Sequence, residues 1–162
     1  MPAVKWTPAM SVGVEAIDTD HKMLIGLINQ LADAIDKGNA HDIVASVINA
    51  LVDYTEYHFG REEEMMLVCD YADFNNHVST HGKIIETLQH LRNAHAGRAP
   101  GHTEKVLLDF MRAWLIDHIL GVDMKYAPAM KGREAELARV DEAYTQRLAR
   151  VVKNSDNDDS MF

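Results

Sequence analysis

Apolar residues recur every three or four positions in four successive stretches of this chain, and again near its C-terminus. Between about 19 and 37, Leu24, Leu27, Ile28, Leu31 and Ile35 share one helical face, and Gly38-Asn39, which tolerate positive φ, end the run. Between about 41 and 66 the stripe is Val44, Val47, Ile48, Leu51, Thr55, His58, Glu62 and Met65. The third stretch, about 72–95, runs Phe74, His77, Val78, His81, Ile84, Ile85, Leu88 and Leu91, and stops at Gly97 and Pro100-Gly101. The fourth, about 102–121, runs Leu107, Met111, Trp114, Leu115 and His118. No stretch alternates with period two, so the pattern predicts helices and no strands. Four amphipathic helices with short links predict an all-α, up-down-up-down four-helix bundle.

Residues 1–17, with Pro2, Pro8, Ser11 and Gly13, lack a helical period and read as an irregular arm. Trp6 is expected to pack on the body, and Asp18 or Asp20 to cap the first helix. Leu137, Val140, Tyr144, Leu148 and Val151 predict an additional C-terminal amphipathic helix over 131–153, followed by a disordered acidic tail, 154–162. The bundle and its arm take residues 1–130.

A length of 162 residues gives one domain with a sizeable core. The formal charge of −9 argues against nucleic acid and against an anionic membrane surface as partners. No apolar run reaches the roughly 20 residues that span a bilayer, so no membrane insertion is expected. The N-terminus does not read as a secretory signal. One cysteine, Cys69, allows no internal disulfide and suits a reducing compartment. A cytoplasmic location is the expectation.

The unusual component is histidine, of which there are nine. His58, Glu62, His77, His81 and His118 continue apolar stripes and so point into the core, where unpaired imidazoles and charges are costly. One such residue, or one HxxxH pair, means little. The antiparallel bundle makes the set informative. Counted from links centred near residues 39, 70 and 99, at about 1.5 Å rise per residue, His21, His58/Glu62, His77/His81 and His118 reach one height to within about 5 Å. Imidazole and carboxylate at one level form a ligand set for iron or zinc. A second carboxylate would tie two ions together. Asp117 diverges from His118 by about 100°, and Asp123 by about 140° unless the helix ends or bulges near Gly121, so spacing leaves both open.

The stretches SVGVEAIDTDHKML (11–24), HFGREEEMM (58–66), HVSTH (77–81) and WLIDHILGVDMKY (114–126) resemble the bacterial hemerythrins, over about residues 4–130. The resemblance implies a four-helix bundle holding two non-haem iron ions with an oxo or hydroxo bridge, which bind O₂ reversibly. His77, His81 and His118 would complete one iron, His21 and His58 would hold the other, and Glu62 and Asp123 would bridge them. The resemblance thus favours Asp123 over Asp117. Five histidines shared three and two leave one open position. Leu24, Phe59, Trp114, Leu115 and Ile119 are the residues expected around it, with Tyr126 as a hydrogen-bond donor behind the ligands.

Other conspicuous residues take ordinary roles. His41, His90, His95 and His102 read as solvated, Glu63 and Glu64 as exposed, Cys69 as a link residue without a partner, and Met65 and Met66 as core filler. The resemblance makes the chain an oxygen carrier, store or delivery protein and not an enzyme. The alternatives are an O₂ or redox sensor acting through the C-terminal helix, and a di-iron enzyme of peroxide or nitric oxide chemistry or iron–sulfur repair. Residues 131–152 could also dock a partner protein or a second copy. A ferritin-like oxidase would use mostly carboxylates with Glu-x-x-His spacing, and this chain does not. On this reading His118→Ala lowers iron content after reconstitution, measured by metal analysis, and unchanged content would remove His118 from the ligand set.

Overall fold

The structure, a computed structural model, describes residues 3–159, with side chains described to residue 154. Four long helices, α1 (Glu15–Asp36), α2 (His41–Val68), α3 (Phe74–Ala96) and α4 (Thr103–Gly121), correspond to the four periodic stretches. Each packs on the next, and α4 returns against α1, which closes the bundle. A short helix, α5 (Ala127–Met130), and a long one, α6 (Glu134–Asp159), follow, with α6 lying against α2. No strand occurs among the described residues.

The first stop signal acts through backbone geometry. Gly38 has φ +64°, and the backbone N–H groups of Gly38 and Asn39 donate to the last carbonyls of α1 at Ile35 and Ala34. That left-handed turn satisfies carbonyls which the helix end would otherwise leave unpaired.

The arm is less irregular than its composition suggested. A 3₁₀ turn forms at Pro8–Met10, and α1 already starts at Glu15, before both proposed capping residues. Asp18 lies in the first turn of α1 and ties the arm down, accepting from the Ser11 hydroxyl at 2.5 Å and the Val12 N–H at 2.9 Å. Asp20 turns inward and is buried. The early start buries Ile17 completely and places Glu15 and Asp18 where the helix dipole favours acidic groups. Trp6 packs on the core, with the Lys22 ammonium over its ring at 4.2 Å.

At the other end, helix α6 continues to Asp159, through most of the segment expected to be disordered. Extending a formed helix costs little per residue compared with nucleating one. Residues 160–162 of that expected tail lie outside the described residues.

The core has two apolar compartments. One holds Leu24, Ile28, Leu51, Phe59, Leu88, Leu107, Leu115 and Ile119. The other holds Ile17, Met65, Met66, Cys69, Tyr126, Met130 and Leu137. On α1, His21 lies between Ile17 and Leu24. On α2, His58 and Glu62 lie between Leu51 and Met65. A buried polar layer therefore crosses the bundle between the compartments.

Helix α6 docks through close approach. A Cβ on Gly60 would overlap the Tyr144 hydroxyl, which donates to the Tyr57 carbonyl at 2.7 Å. Gly60→Ala should therefore displace Tyr144, costing about 1–3 kcal/mol in overpacking against about 1 kcal/mol gained in helix propensity. The expected result is a lower urea midpoint with faster proteolysis within α6; a raised midpoint with unchanged proteolysis would contradict this packing.

Candidate metal centre

The buried layer is built from donors on all four bundle helices and the turn after α4. His21 comes from α1, His58 and Glu62 from α2, His77 and His81 from α3, and His118 from α4. All are at most 4% exposed, and Asp123 and Glu62 are completely buried. The backbone explains Asp123. Helix α4 ends at Gly121, and residues Asp123–Lys125 form a 3₁₀ turn, which swings the Asp123 carboxylate into the layer. Asp117 remains exposed on the outer face of α4.

Donor atoms gather in two groups that share both carboxylates: Glu62, His77, His81, His118 and Asp123 in one, and His21, His58, Glu62 and Asp123 in the other. Each carboxylate divides its oxygens between them. Asp123 Oδ1 faces His77 Nε2 at 3.1 Å and His118 Nε2 at 3.0 Å, while Oδ2 faces His21 Nε2 at 3.1 Å. Glu62 Oε1 faces His81 Nε2 at 3.2 Å, while Oε2 faces His58 Nε2 at 3.4 Å.

These approaches are not a hydrogen-bond network. Nε2 of His21, His77, His81 and His118, Oε1 of Glu62 and both oxygens of Asp123 are buried without a hydrogen-bond partner. Buried polar atoms are rarely orphaned, and here they converge on one another. An octahedral ion with bonds of about 2.1 Å separates neighbouring donors by about 3.0 Å, close to the spacings seen. Imidazole and carboxylate suit iron, and a cation would balance two buried negative charges. The residues present fit a metal.

Outside the two groups, several residues fix the donors. Asp20 Oδ2 accepts from His58 Nδ1 at 2.8 Å, which leaves the His58 Nε2 lone pair facing the site. Glu63 Oε1 lies 3.3 Å from His81 Nδ1. The Tyr126 hydroxyl donates to Glu62 Oε2 at 2.7 Å. Phe59 stacks on His81 with centroids 3.7 Å apart, and Trp114 stacks on His118 at 4.5 Å. Leu24, Leu115 and Ile119 are buried in the same apolar compartment as Phe59.

Sequence reasoning missed these roles of Asp20 and Glu63: Asp20 read as a cap for the first helix, and Glu63, an acid beside a ligand, read as exposed. Glu63 is half-buried rather than exposed, since the histidine of the neighbouring helix gives it a partner. His95 is also not solvated. It is buried and stacked on His41 at 4.2 Å, where the end of α3 meets the start of α2. Cys69 is free and buried in the second compartment.

The charge balance of the metal-free layer follows from its contacts. Burial pushes His58 down, but Glu62 and Asp20 outweigh it and raise the imidazole to about 10 from its ordinary 6.5. Burial opposes His77 too, and Asp123 and Glu62 raise it to about 9. Burial and the Glu62 charge push Asp123 up, but His118, His21 and His77 hold it down at about 2. Raised histidines stabilise the fold fully below about 6.5, and that contribution is lost as pH rises through their folded values. Metal-free protein should therefore lose stability between about pH 6.5 and 10 in urea titrations. Metal-loaded protein, whose imidazoles are neutral donors, should not, and identical alkaline profiles for both forms would contradict this balance.

Comparison with known proteins places the chain in a family. The family model described as "Hemerythrin HHE cation binding domain" matches residues 12–130. A bacteriohemerythrin from Methylococcus capsulatus is 34% identical over 132 residues, covering 80% of this chain and 98% of that protein. One from Pseudomonas aeruginosa is 33% identical over 154 residues, covering 94% and 97%. A crystal structure of wild-type hemerythrin superposes with a TM-score of 0.74 at 32% identity, covering 81% of this chain and 100% of that one. This chain belongs to the hemerythrin family.

Proposed function

We propose that this chain binds O₂ reversibly at a pair of non-haem iron ions, as an oxygen carrier, store or delivery protein. The carrying observation is the unequal division of imidazoles about two shared carboxylates. His77, His81 and His118 would hold one iron, and His21 and His58 the other. Glu62 and Asp123 would each give one oxygen to each ion. With three histidines on one side and two on the other, the second ion would be the one to keep a free place. When bound, an iron pair joined by an oxo or hydroxo group supplies the two electrons that reversible O₂ binding requires.

The protein's own part is to hold the donors and keep water and protons away. Leu24, Phe59, Trp114, Leu115 and Ile119 are the residues we assign to the apolar wall beside the free place. Phe59 and Trp114 also brace His81 and His118 by stacking. Tyr126 orients Glu62. Burial and the charges of Glu62 and Asp123 push its phenol far above the ordinary range, so its hydroxyl keeps its proton and acts only as a hydrogen-bond donor. A layer without a ready acid favours release of the gas unchanged over its reduction. This supports a binding protein more than an enzyme. The single thiol keeps a reducing cytoplasm as the setting we assign.

Anaerobic loading with ferrous iron tests the reading. Two irons per chain should bind, and a visible absorption band should appear in air and vanish under argon over repeated cycles. Fewer than two irons, or oxidation that argon never reverses, would overturn it.

A further inference from the structure

Arg61 brings a positive charge into the interior beside the metal layer, with its side chain only 9% exposed. A guanidinium at such a place needs partners on each side, and Arg61 has them. Nη1 donates to Asp20 Oδ1 at 2.5 Å, Nε donates to Asp141 Oδ1 at 2.7 Å, and Nη2 donates to the Tyr57 hydroxyl. Asp20 is divided as well. Its Oδ1 also accepts from the Tyr54 hydroxyl at 2.7 Å, and its Oδ2 accepts from His58 Nδ1. An unbroken chain of three charge-assisted hydrogen bonds thus runs from Asp141 through Arg61 and Asp20 to His58.

Asp141 belongs to α6, the helix outside the four-helix bundle, and is 30% exposed. The connection is selective. Nδ1 of His21, His77 and His118 has no hydrogen-bond partner among the described residues, and His81 leans on Glu63 of α2. By side-chain hydrogen bonds among the described residues, helix α6 therefore reaches the layer's imidazoles through one histidine, and that histidine stands in the two-histidine group. The division of the Arg61 fork is what leaves Asp20 Oδ2 for His58. Without the Asp141 charge, the hold of α6 on Nε falls from a charge-assisted to a neutral hydrogen bond, and the Arg61 guanidinium is drawn toward both oxygens of Asp20. His58 would then lose the acceptor that fixes its tautomer and ring plane.

We propose that Asp141 is a positioning residue: through Arg61 and Asp20, helix α6 holds His58 in its metal-binding orientation. This rests on the iron-pair reading given above. It makes α6 part of the metal centre, although α6 supplies no ligand.

The test compares wild type, Asp141→Asn and Glu142→Gln after loading with ⁵⁷Fe. Glu142 is an exposed neighbour whose hydrogen-bond partner among the described residues is Gln146 of the same helix, so its substitution removes the same charge without touching Arg61. Mössbauer spectra separate the two irons by their different histidine counts, and extraction by a ferrous chelator times their loss. In Asp141→Asn, one doublet should move and one iron should leave about tenfold faster, while the other doublet and rate stay as in wild type. Glu142→Gln should match wild type in both. On an Asp20→Asn background, Asp141→Asn should add nothing, since the connection is already cut.

Three results would overturn the inference with the iron-pair reading intact. One is faster loss of both irons together from Asp141→Asn, which is loosening of the whole bundle. The others are an Asp141→Asn protein that matches wild type, and a Glu142→Gln protein that reproduces the Asp141→Asn effect. Wild-type protein holding fewer than two irons would overturn the iron-pair reading itself, and this inference with it.

Discussion

Two buried carboxylates face five buried imidazoles, and the protein leaves most of their inward atoms without hydrogen bonds. A folded chain tolerates that only if something else meets them, because orphaned polar atoms in the interior cost about 1–3 kcal/mol each. Cations held by these donors would meet all of them at once. The rest of the architecture follows from supplying that demand. Four helices are needed to bring donors from four directions, the helix after the third link must end early to release Asp123, and the aromatic rings must stack where they keep the imidazoles upright. The polar layer draws on all four helices, so whatever meets its donors also ties the frame together.

Most of the frame and the donor set were readable because helical period carries position. A histidine that occupies a stripe slot otherwise filled by leucine or isoleucine is placed in the interior by that fact, and link lengths then set its height. Asp123 was different. An ideal helix points it away from His118, and only the break at Gly121 turns it inward, which no residue count specifies. Family resemblance favoured it where spacing could not.

Residues that brace the donors were harder to read. Asp20 sits next to His21, and Glu63 next to Glu62, at angles that on an isolated helix face solvent. Their partners lie on other helices, so their roles come from packing between elements. Arg61 is the same case on a larger scale, since Asp141 is eighty positions away. His95 stacks on His41 where two helix ends meet, and neither local sequence hints at the other. Local pattern locates what points inward; it does not say what two distant polar residues will find in each other.

The division of the core into two apolar compartments has a consequence for tolerance to change. Leu88 and Leu107 lie in one compartment, Met66 and Met130 in the other, and a ring of rigid donors stands between them. Volume errors in one half cannot be passed on by sliding side chains, because that ring does not yield. Each end of the molecule is therefore free to be repacked, shortened or extended by its own rules, while the middle keeps its dimensions.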